Sequence, residues 1–246
     1  MLPAKWLDQD TPLSVQRKWL TADEHRRFQE FHQRADRLRM VAGRFVLRQC
    51  LQDFYGLSRA DFSYGKNNKP LLTQFVMQNE AHGLPLDVNL THDRQHVLAA
   101  FSMQGEVGID VASLLDFDTW PEFAADYLTA HEIAWVQNAP AADQPLRALR
   151  FWTLKEAILK SIGHGLDIDP REIMLRPGAH CPIMALPRHF PPACAFGLYE
   201  WQIDAQTYVA LASVTAPSTS SSNVKSGSTT ELHFVQISAK PLTPRA

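Results

Sequence analysis

A carboxylate and an ammonium group stand at helical spacing in one segment of the chain. Glu156 and Lys160 are four residues apart and therefore lie one turn apart on the same helix face. Apolar residues on the neighbouring face and Gly163 at the end are typical of a helix that stops there. Such a helix can hold a metal ion and an anion side by side, although a Glu and a Lys at this spacing also form common surface pairs.

An acidic side chain also interrupts an apolar strand upstream. Residues 107–111 predict a short buried strand that contains one carboxylate, Asp110. A carboxylate is costly to bury unless it is paired or bound to a cation. Asp110 and Glu156 are therefore candidate ligands for Mg²⁺, which prefers hard oxygen donors.

A further predicted strand ends in polar groups. Residues 88–92 alternate as a strand does and end in Thr91 and His92, and residues 96–102 run back as a second strand. The pattern leaves open whether His92 binds a ligand or is a strand-end histidine whose hydrogen bonds are satisfied.

Three motifs, in this order, resemble the signature of the Sfp-type 4′-phosphopantetheinyl transferases. They occupy residues 89–92, 108–112 and 152–166, and residues 36–44 and 68–71 are also similar to the family. The resemblance covers about residues 20–214. It implies a Mg²⁺-dependent enzyme that transfers the phosphopantetheine arm of coenzyme A to a serine of an acyl or peptidyl carrier protein and releases adenosine 3′,5′-bisphosphate.

The resemblance also implies roles for individual residues. It makes Glu156 the general base and, with Asp110, a magnesium ligand, while Lys160 holds a phosphate oxygen. The implied catalytic residues are Glu156, Lys160 and His92. The residues implied to bind coenzyme A are Arg26, Arg39, Lys69, Thr91, His92, Asp110, Glu156 and Lys160.

The sequence departs from the family pattern at three positions, of which one bears on function. Ala112 stands where many members have a glutamate as a third metal ligand, so a water must replace that ligand or the metal binds more weakly. Asn68 for glycine and Thr91 for serine are mild changes. The departure at Ala112 motivates a second hypothesis, a coenzyme A or carrier-protein binding module without catalysis. A third is a duplicated domain whose charges are all structural.

An internal repeat predicts the architecture. Residues 20–25 recur as residues 128–133, and both contain a Thr-x-x-Glu capping box at a helix start. The first copy has Gln49 where the second has Glu156, which indicates one active site per chain. We therefore expect an α+β fold built as a pseudo-dimer of two similar α/β halves with the site between them, as the family also has.

The expected domains are an N-terminal half at residues 1–112, which binds coenzyme A, a C-terminal half at 113–215, which carries the metal and the catalytic helix, and a tail at 216–246. The tail is rich in Ser and Thr and contains one further candidate strand at residues 232–237. The segment 112–129 is the expected carrier dock. A monomer is favoured because the duplication already supplies the second half of the site.

Composition excludes several classes of protein. A formal net charge of -2 over 246 residues argues against a general nucleic-acid binder. No apolar run reaches the length of a membrane span, and the N-terminus lacks the pattern of a signal peptide, so a cytoplasmic location is expected. The three cysteines show no CxxC spacing, which disfavours a zinc ribbon.

Overall fold

The structure of the protein is a computed structural model, which describes residues 19–55, 62–65, 69–72, 86–117, 119–164, 167–176, 182–215 and 233–238. The helices are α1 (Ala22–Glu30), α2 (Arg34–Tyr55), α3 (Trp120–Tyr127), α4 (Ala130–Gln137) and α5 (Gln144–Ser161). The strands are β1 (Phe62–Tyr64), β2 (Pro70–Leu72), β3 (Asp87–His92), β4 (His96–Ser102), β5 (Gly105–Ser113), β6 (Met174–Leu175), β7 (Ile183–Ala185), β8 (Phe196–Gln202), β9 (Thr207–Thr215) and β10 (His233–Ser238). Asn68, the last two residues of the 152–166 motif and the Ser/Thr-rich part of the tail lie outside the described residues.

The strands pair antiparallel, and with the helices they confirm the α+β class. The described residues form two three-stranded sheets, ordered β10-β4-β3 and β5-β9-β8, and two hairpins, β1-β2 and β6-β7. The candidate strand predicted in the tail is present, because β10 pairs with β4 from His96 to Phe101.

Side chains join the two three-stranded sheets. Three side chains of β3 accept hydrogen bonds from backbone N–H groups of β5: Asp87 from Val107, Asn89 from Ile109 and Thr91 from Val111. Each pair is 20 residues apart, so β3 and β5 run parallel. We call this set of contacts the β3–β5 junction. It provides the β5 amides with acceptors that a backbone ladder would otherwise supply.

The local signals for the helix starts and ends are confirmed. The side chains of Thr21 and Thr129 each accept a hydrogen bond from the backbone N–H three residues on. In each capping box the glutamate at that position, Glu24 or Glu132, accepts a hydrogen bond from the backbone N–H of the threonine. Gly163 follows α5 with φ of 73°, a left-handed conformation that glycine adopts without a steric penalty.

The two largest apolar clusters among the described residues lie beneath the sheets. α2 packs its buried face, including Val46 and Leu51, against β3 and β4. α5 packs Leu154 and Ile158 into the larger cluster, which includes Ala210 and Ala212 of β9. Among the described helices, none combines the length and the apolar character that a bilayer crossing requires.

Close contact between α5 and β5 depends on Gly108. A Cβ atom at this position would lie 2.2 Å from the Ala157 carbonyl oxygen and 2.3 Å from the Ser161 nitrogen. Any side chain would therefore push the helix away from the strand. Gly108 lets the backbones touch, and this contact sets the distance between Asp110 of β5 and the polar side chains of α5.

Candidate active site

A buried polar network connects β3, β5 and α5. Lys160 Nζ donates to Asp110 Oδ1 at 2.5 Å and to Thr91 Oγ1 at 3.2 Å. Thr91 in turn donates to the same Asp110 oxygen at 3.1 Å. Asp110 is 5% exposed and Thr91 is 4% exposed, so the ion pair lies largely away from water. Three residues that the sequence analysis singled out are therefore in direct contact.

Glu156 lies on the same helix one turn before Lys160, and its carboxylate is in an unusual state. It is 7% exposed, and its Oε1 atom is buried without a hydrogen-bond partner within the described residues. Burial raises the pKa of Glu156 to about 7, with a smaller contribution from the negative charge of Asp110, while Lys160 opposes the shift. Burial also raises the pKa of Asp110, against the effect of Lys160.

The two carboxylates fit a divalent cation. The negative charge of Asp110 destabilises that of Glu156, and the unpartnered Glu156 Oε1 supplies a free hard-oxygen ligand. Within the residues that the structure describes, no group of three His, Cys, Asp or Glu side chains gathers around such an ion. Ala112, two residues beyond Asp110 on β5, is buried with Leu149 and Tyr208. Further ligands for a metal would thus come from substrate and water.

A basic pocket lies beside this network. Its volume is about 140 Å³, and it is lined by Arg27, Phe31, Asp36, Arg39, Met40, Arg44, Leu90 and His92. Three guanidinium groups against one carboxylate give it a positive charge, which suits a phosphate. We call it the arginine pocket.

His92 links the arginine pocket to the buried network. It ends β3 next to Thr91, and its side chain reaches solvent. Partial desolvation, then the positive charges of Arg39 and Lys160, lower the pKa of His92 below its ordinary value. The ring is therefore neutral at pH 7, and it lies within the electrostatic influence of both cations.

Two arginines of the pocket were missed by the sequence analysis. Arg44 is 8% exposed, and its Nε lies 2.9 Å from Glu24 Oε1, while Arg27 stacks over the Tyr64 ring at 5.6 Å. The helical spacing of Asp36, Met40 and Arg44 was a signal for a shared face. Arg27 carried no such signal, because α1 meets α2 only in the folded protein.

Two residues that were predicted to bind coenzyme A, Arg26 and Lys69, lie outside the arginine pocket. Arg26 pairs with Asp23 on the exposed surface of α1, and its side chain is 77% exposed. Lys69 contacts Asp87 and the end of α5 and does not line the arginine pocket. Arg39 does line the pocket and pairs there with Asp36.

Lys155, beside Glu156, was also missed. It is fully buried and donates to Glu132 Oε2 at 2.7 Å and to the Tyr127 carbonyl oxygen at 3.0 Å. Glu132 accepts from the Leu175 backbone as well. The pair therefore anchors α5 to α4 and β6 from the side opposite Lys160.

A known protein family matches part of this chain. Residues 106–210 match the sequence profile of the 4′-phosphopantetheinyl transferase superfamily. The resemblance to that superfamily is confirmed. The matched residues run from β5 to β9 and include both candidate metal ligands and Lys160.

Two curated relatives carry the same description. The chain is 29% identical over 161 residues to the 4′-phosphopantetheinyl transferase HetI of Nostoc sp., which covers 64% of this chain and 66% of that protein. It is 32% identical over 169 residues to the 4′-phosphopantetheinyl transferase pptA of Paxillus involutus, covering 60% of each. The chain thus spans somewhat less than two thirds of the length of these relatives.

One solved structure is also similar in part. It is a holo-(acyl-carrier-protein) synthase from Bacillus anthracis str. Ames in complex with CoA (3′,5′-ADP). The match has a TM-score of 0.37 at 16% identity and covers 46% of this chain and 96% of that chain.

Proposed function

We propose that this protein transfers the 4′-phosphopantetheine group from coenzyme A to a serine of acyl or peptidyl carrier proteins. The observation that carries the proposal is the cluster of buried Asp110 and Glu156 with half-buried Lys160, next to the arginine pocket. A phosphate-binding pocket beside a carboxylate with raised pKa is what displacement at a pyrophosphate requires. The superfamily match covers this cluster.

Glu156 is the proposed general base. With a pKa of about 7 in the metal-free protein it is partly ionised at neutral pH. It would take the proton of the carrier serine as the hydroxyl attacks phosphorus and the bond to the leaving adenosine 3′,5′-bisphosphate breaks. Lys160 would hold a non-bridging oxygen of the pyrophosphate by a charge-assisted bond. His92, neutral and at the solvent edge, would donate a hydrogen bond to a phosphate oxygen.

Mg²⁺ is the proposed metal, held by Asp110 and Glu156. When bound, it supplies charge neutralisation at the pyrophosphate. Residues of the chain itself position the two carboxylates. Thr91 and Lys160 orient Asp110, and Gly108 allows α5 to bring Glu156 close to it.

The arginine pocket is the proposed site for the phosphates at the adenosine end of coenzyme A. Arg27, Arg39 and Arg44 supply planar donors that match phosphate oxygens in pairs. Glu24 fixes Arg44 through an ion pair, so this guanidinium is held in place before a ligand arrives. Arg27 and Arg44 thereby take the roles that the resemblance suggested for Arg26 and Lys69.

The finer architecture, a pseudo-dimer of two similar halves, is also a proposal. The order of two helices and five strands from α1 to β5 is repeated by α4, α5 and β6 to β10. Strand exchange supports it further, since β5 pairs with β9 and β10 pairs with β4. Each proposed half therefore contributes its last strand to the sheet of the other. The domain limits, the carrier dock at residues 112–129, the monomeric state and the cytoplasmic location stay predictions from the sequence.

Intact-mass spectrometry tests the proposed reaction. An apo acyl carrier protein and an apo peptidyl carrier protein are each incubated with this protein, coenzyme A and Mg²⁺. We expect each productive carrier to gain one phosphopantetheine, and we expect no gain with a chelator or with Glu156→Gln. Gain of mass with Glu156→Gln at the wild-type rate would rule out the assigned base.

A coenzyme A or carrier-protein binding module without catalysis is the second candidate. Ala112 favours it, because the structure offers two carboxylates where many members of the family offer three. The same experiment separates the two candidates. Coenzyme A binding by calorimetry without mass gain on either carrier would favour the binding module.

A further inference from the structure

Lys69 lies at a structural junction, away from the arginine pocket. Its Nζ donates to Asp87 Oδ2 at 2.7 Å and to the Ser161 carbonyl oxygen at 3.0 Å. Its side chain is 11% exposed and that of Asp87 is 17% exposed. Both contacts involve atoms that already have structural roles, one at the start of β3 and one at the end of α5.

Asp87 connects Lys69 to the β3–β5 junction. The oxygen that accepts from Lys69 also accepts from the Val107 backbone N–H at 2.7 Å. Lys69 immediately precedes β2, and its ammonium group touches β3 and α5 and reaches β5 through the shared Asp87 oxygen. Removal of the ammonium group leaves the Asp87 carboxylate without its ion-pair partner, while Asp87 still accepts from the Val107 N–H.

The contact with Ser161 acts on the helix that carries the catalytic groups. The last carbonyl groups of a helix lack partners within the helix, and a cation there is favoured by the helix dipole. Lys69 occupies this position for α5. Ser161 directly follows Lys160 and is five residues beyond Glu156, so the anchored end of the helix is the end that meets Asp110.

We infer that Lys69 is a positioning residue that clamps the end of α5 to the β3–β5 junction and thereby places Glu156 and Lys160 against Asp110. Two of its three donor hydrogens are engaged within the protein, and the arginine pocket is lined by other cations. Binding of a coenzyme A phosphate, the role implied by the resemblance, would compete with both contacts. The kinetic part of the test rests on the proposed transferase function.

Two variants break the clamp from its two sides. Lys69→Met removes the ammonium group and keeps the length of the side chain. Asp87→Asn keeps an oxygen for the Val107 amide but removes the charge that pairs with Lys69. Arg171→Gln is the matched control, because Arg171 pairs with Asp169 on the surface outside both the junction and the arginine pocket.

Steady-state transfer kinetics give the first readout. We expect both clamp variants to lower kcat by about tenfold or more and to leave the KM for coenzyme A within about twofold, since a small displacement of catalytic groups is costly. The double variant should lose little beyond either single variant because both act through one contact. Lys69→Arg should recover most of kcat, and Arg171→Gln should match the wild type.

Dephospho-coenzyme A, which lacks the 3′-phosphate, distinguishes clamp from ligand. A clamp leaves the preference for coenzyme A over dephospho-coenzyme A unchanged in Lys69→Met. A phosphate ligand predicts that this preference falls in Lys69→Met, while Asp87→Asn keeps or strengthens it. That second pattern would overturn the inference.

Amide hydrogen exchange gives a readout that needs no substrate. In the free protein, we expect exchange at the last turn of α5 and at Val107 to be about tenfold faster in both clamp variants than in the wild type or Arg171→Gln. Unchanged exchange in a folded Lys69→Met protein would overturn the clamp. If the wild type modifies no carrier, the proposed function fails, but the exchange experiment still decides the role of Lys69.

Discussion

At the scale of single residues, the proposed chemistry depends on a carboxylate that the protein keeps partly protonated. Glu156 is buried, has an oxygen without a partner and has a pKa of about 7. Lys160 alone does not offset the free-energy cost of ionising the buried Glu156 carboxyl, because the Lys160 ammonium group is already bonded to Asp110. A divalent cation would relieve this unfavourable charge, so stability and function are linked at this residue.

The linkage predicts a pH-dependent gain from Glu156→Gln in metal-free protein. Because the pKa of Glu156 in the folded protein lies above its ordinary value of 4.5, ionisation of Glu156 destabilises the folded state progressively between pH 4.5 and 7. The variant should match the wild type near pH 4.5 and exceed it by roughly 3–4 kcal/mol at pH 8, from about 1.4 kcal/mol for each pKa unit. Urea denaturation after chelator treatment measures the difference. Equal stability at pH 8 would show that Glu156 is not strained by ionisation.

A third carboxylate tests the metal site at Ala112. Ala112→Glu adds a buried negative charge near Asp110, so we expect metal-free Ala112→Glu to be less stable than the wild type. Added Mg²⁺ should then raise its melting temperature more than that of the wild type, because ligands that bind the folded state stabilise it. Thermal melts with and without Mg²⁺ measure this, with Ala112→Gln as the uncharged control. A Mg²⁺ response equal in Glu and Gln variants would exclude position 112 from the metal site.

The sequence revealed the residues of the buried network but not how they are supported. Glu156 and Lys160 share a helix, so their spacing was readable, and Asp110 was conspicuous as a charge in an apolar strand. The roles of Arg44 and Lys155 had no such sign in the sequence, because an arginine or lysine within a helix is usually solvated. Their roles depend on Glu24 and Glu132, which come from other helices and whose contacts exist only in the folded chain.

At the scale of elements, the site requires α5 to touch β5. Gly108 permits this contact, and Leu154 and Ile158 hold the helix in the core. The sequence predicted both elements from their periodicity, but the need for glycine at position 108 comes from a backbone approach that no pattern encodes.

Gly108→Ala should separate the helix from the strand. The added methyl would meet the backbone of Ala157 and Ser161, neither of which can rotate away. We expect a loss of stability of about 1–3 kcal/mol, as for other overpacked cores. We also expect carrier modification to fall by at least about tenfold, because Glu156 moves relative to Asp110. Gly197→Ala, whose methyl would meet the Ser213 hydroxyl outside the site, is the control. If Gly108→Ala transfers phosphopantetheine at the wild-type rate, the close contact between α5 and β5 is not needed for catalysis.

At the scale of the whole molecule, the last strand of each proposed half completes the sheet of the other. β5 contacts β3 at the β3–β5 junction on one side and pairs with β9 on the other. β10 pairs with the edge of β4 that faces away from β3. The repeat in the sequence indicated two similar halves. It did not indicate the exchange, because strand pairing between segments about 100 residues or more apart depends on the tertiary structure.

Truncation after Thr215 tests whether the exchanged strand matters for the arginine pocket. This variant lacks β10, so β4 loses the backbone hydrogen bonds that it shares with residues 233–238. β4 supports β3, which carries His92 at the edge of the pocket. We therefore expect a lower melting temperature and weaker coenzyme A binding, measured by thermal denaturation and calorimetry. Truncation after Ser238 keeps β10 and should behave as the full chain does. If both truncations bind coenzyme A as the full chain does, the exchanged strand has no part in forming the site.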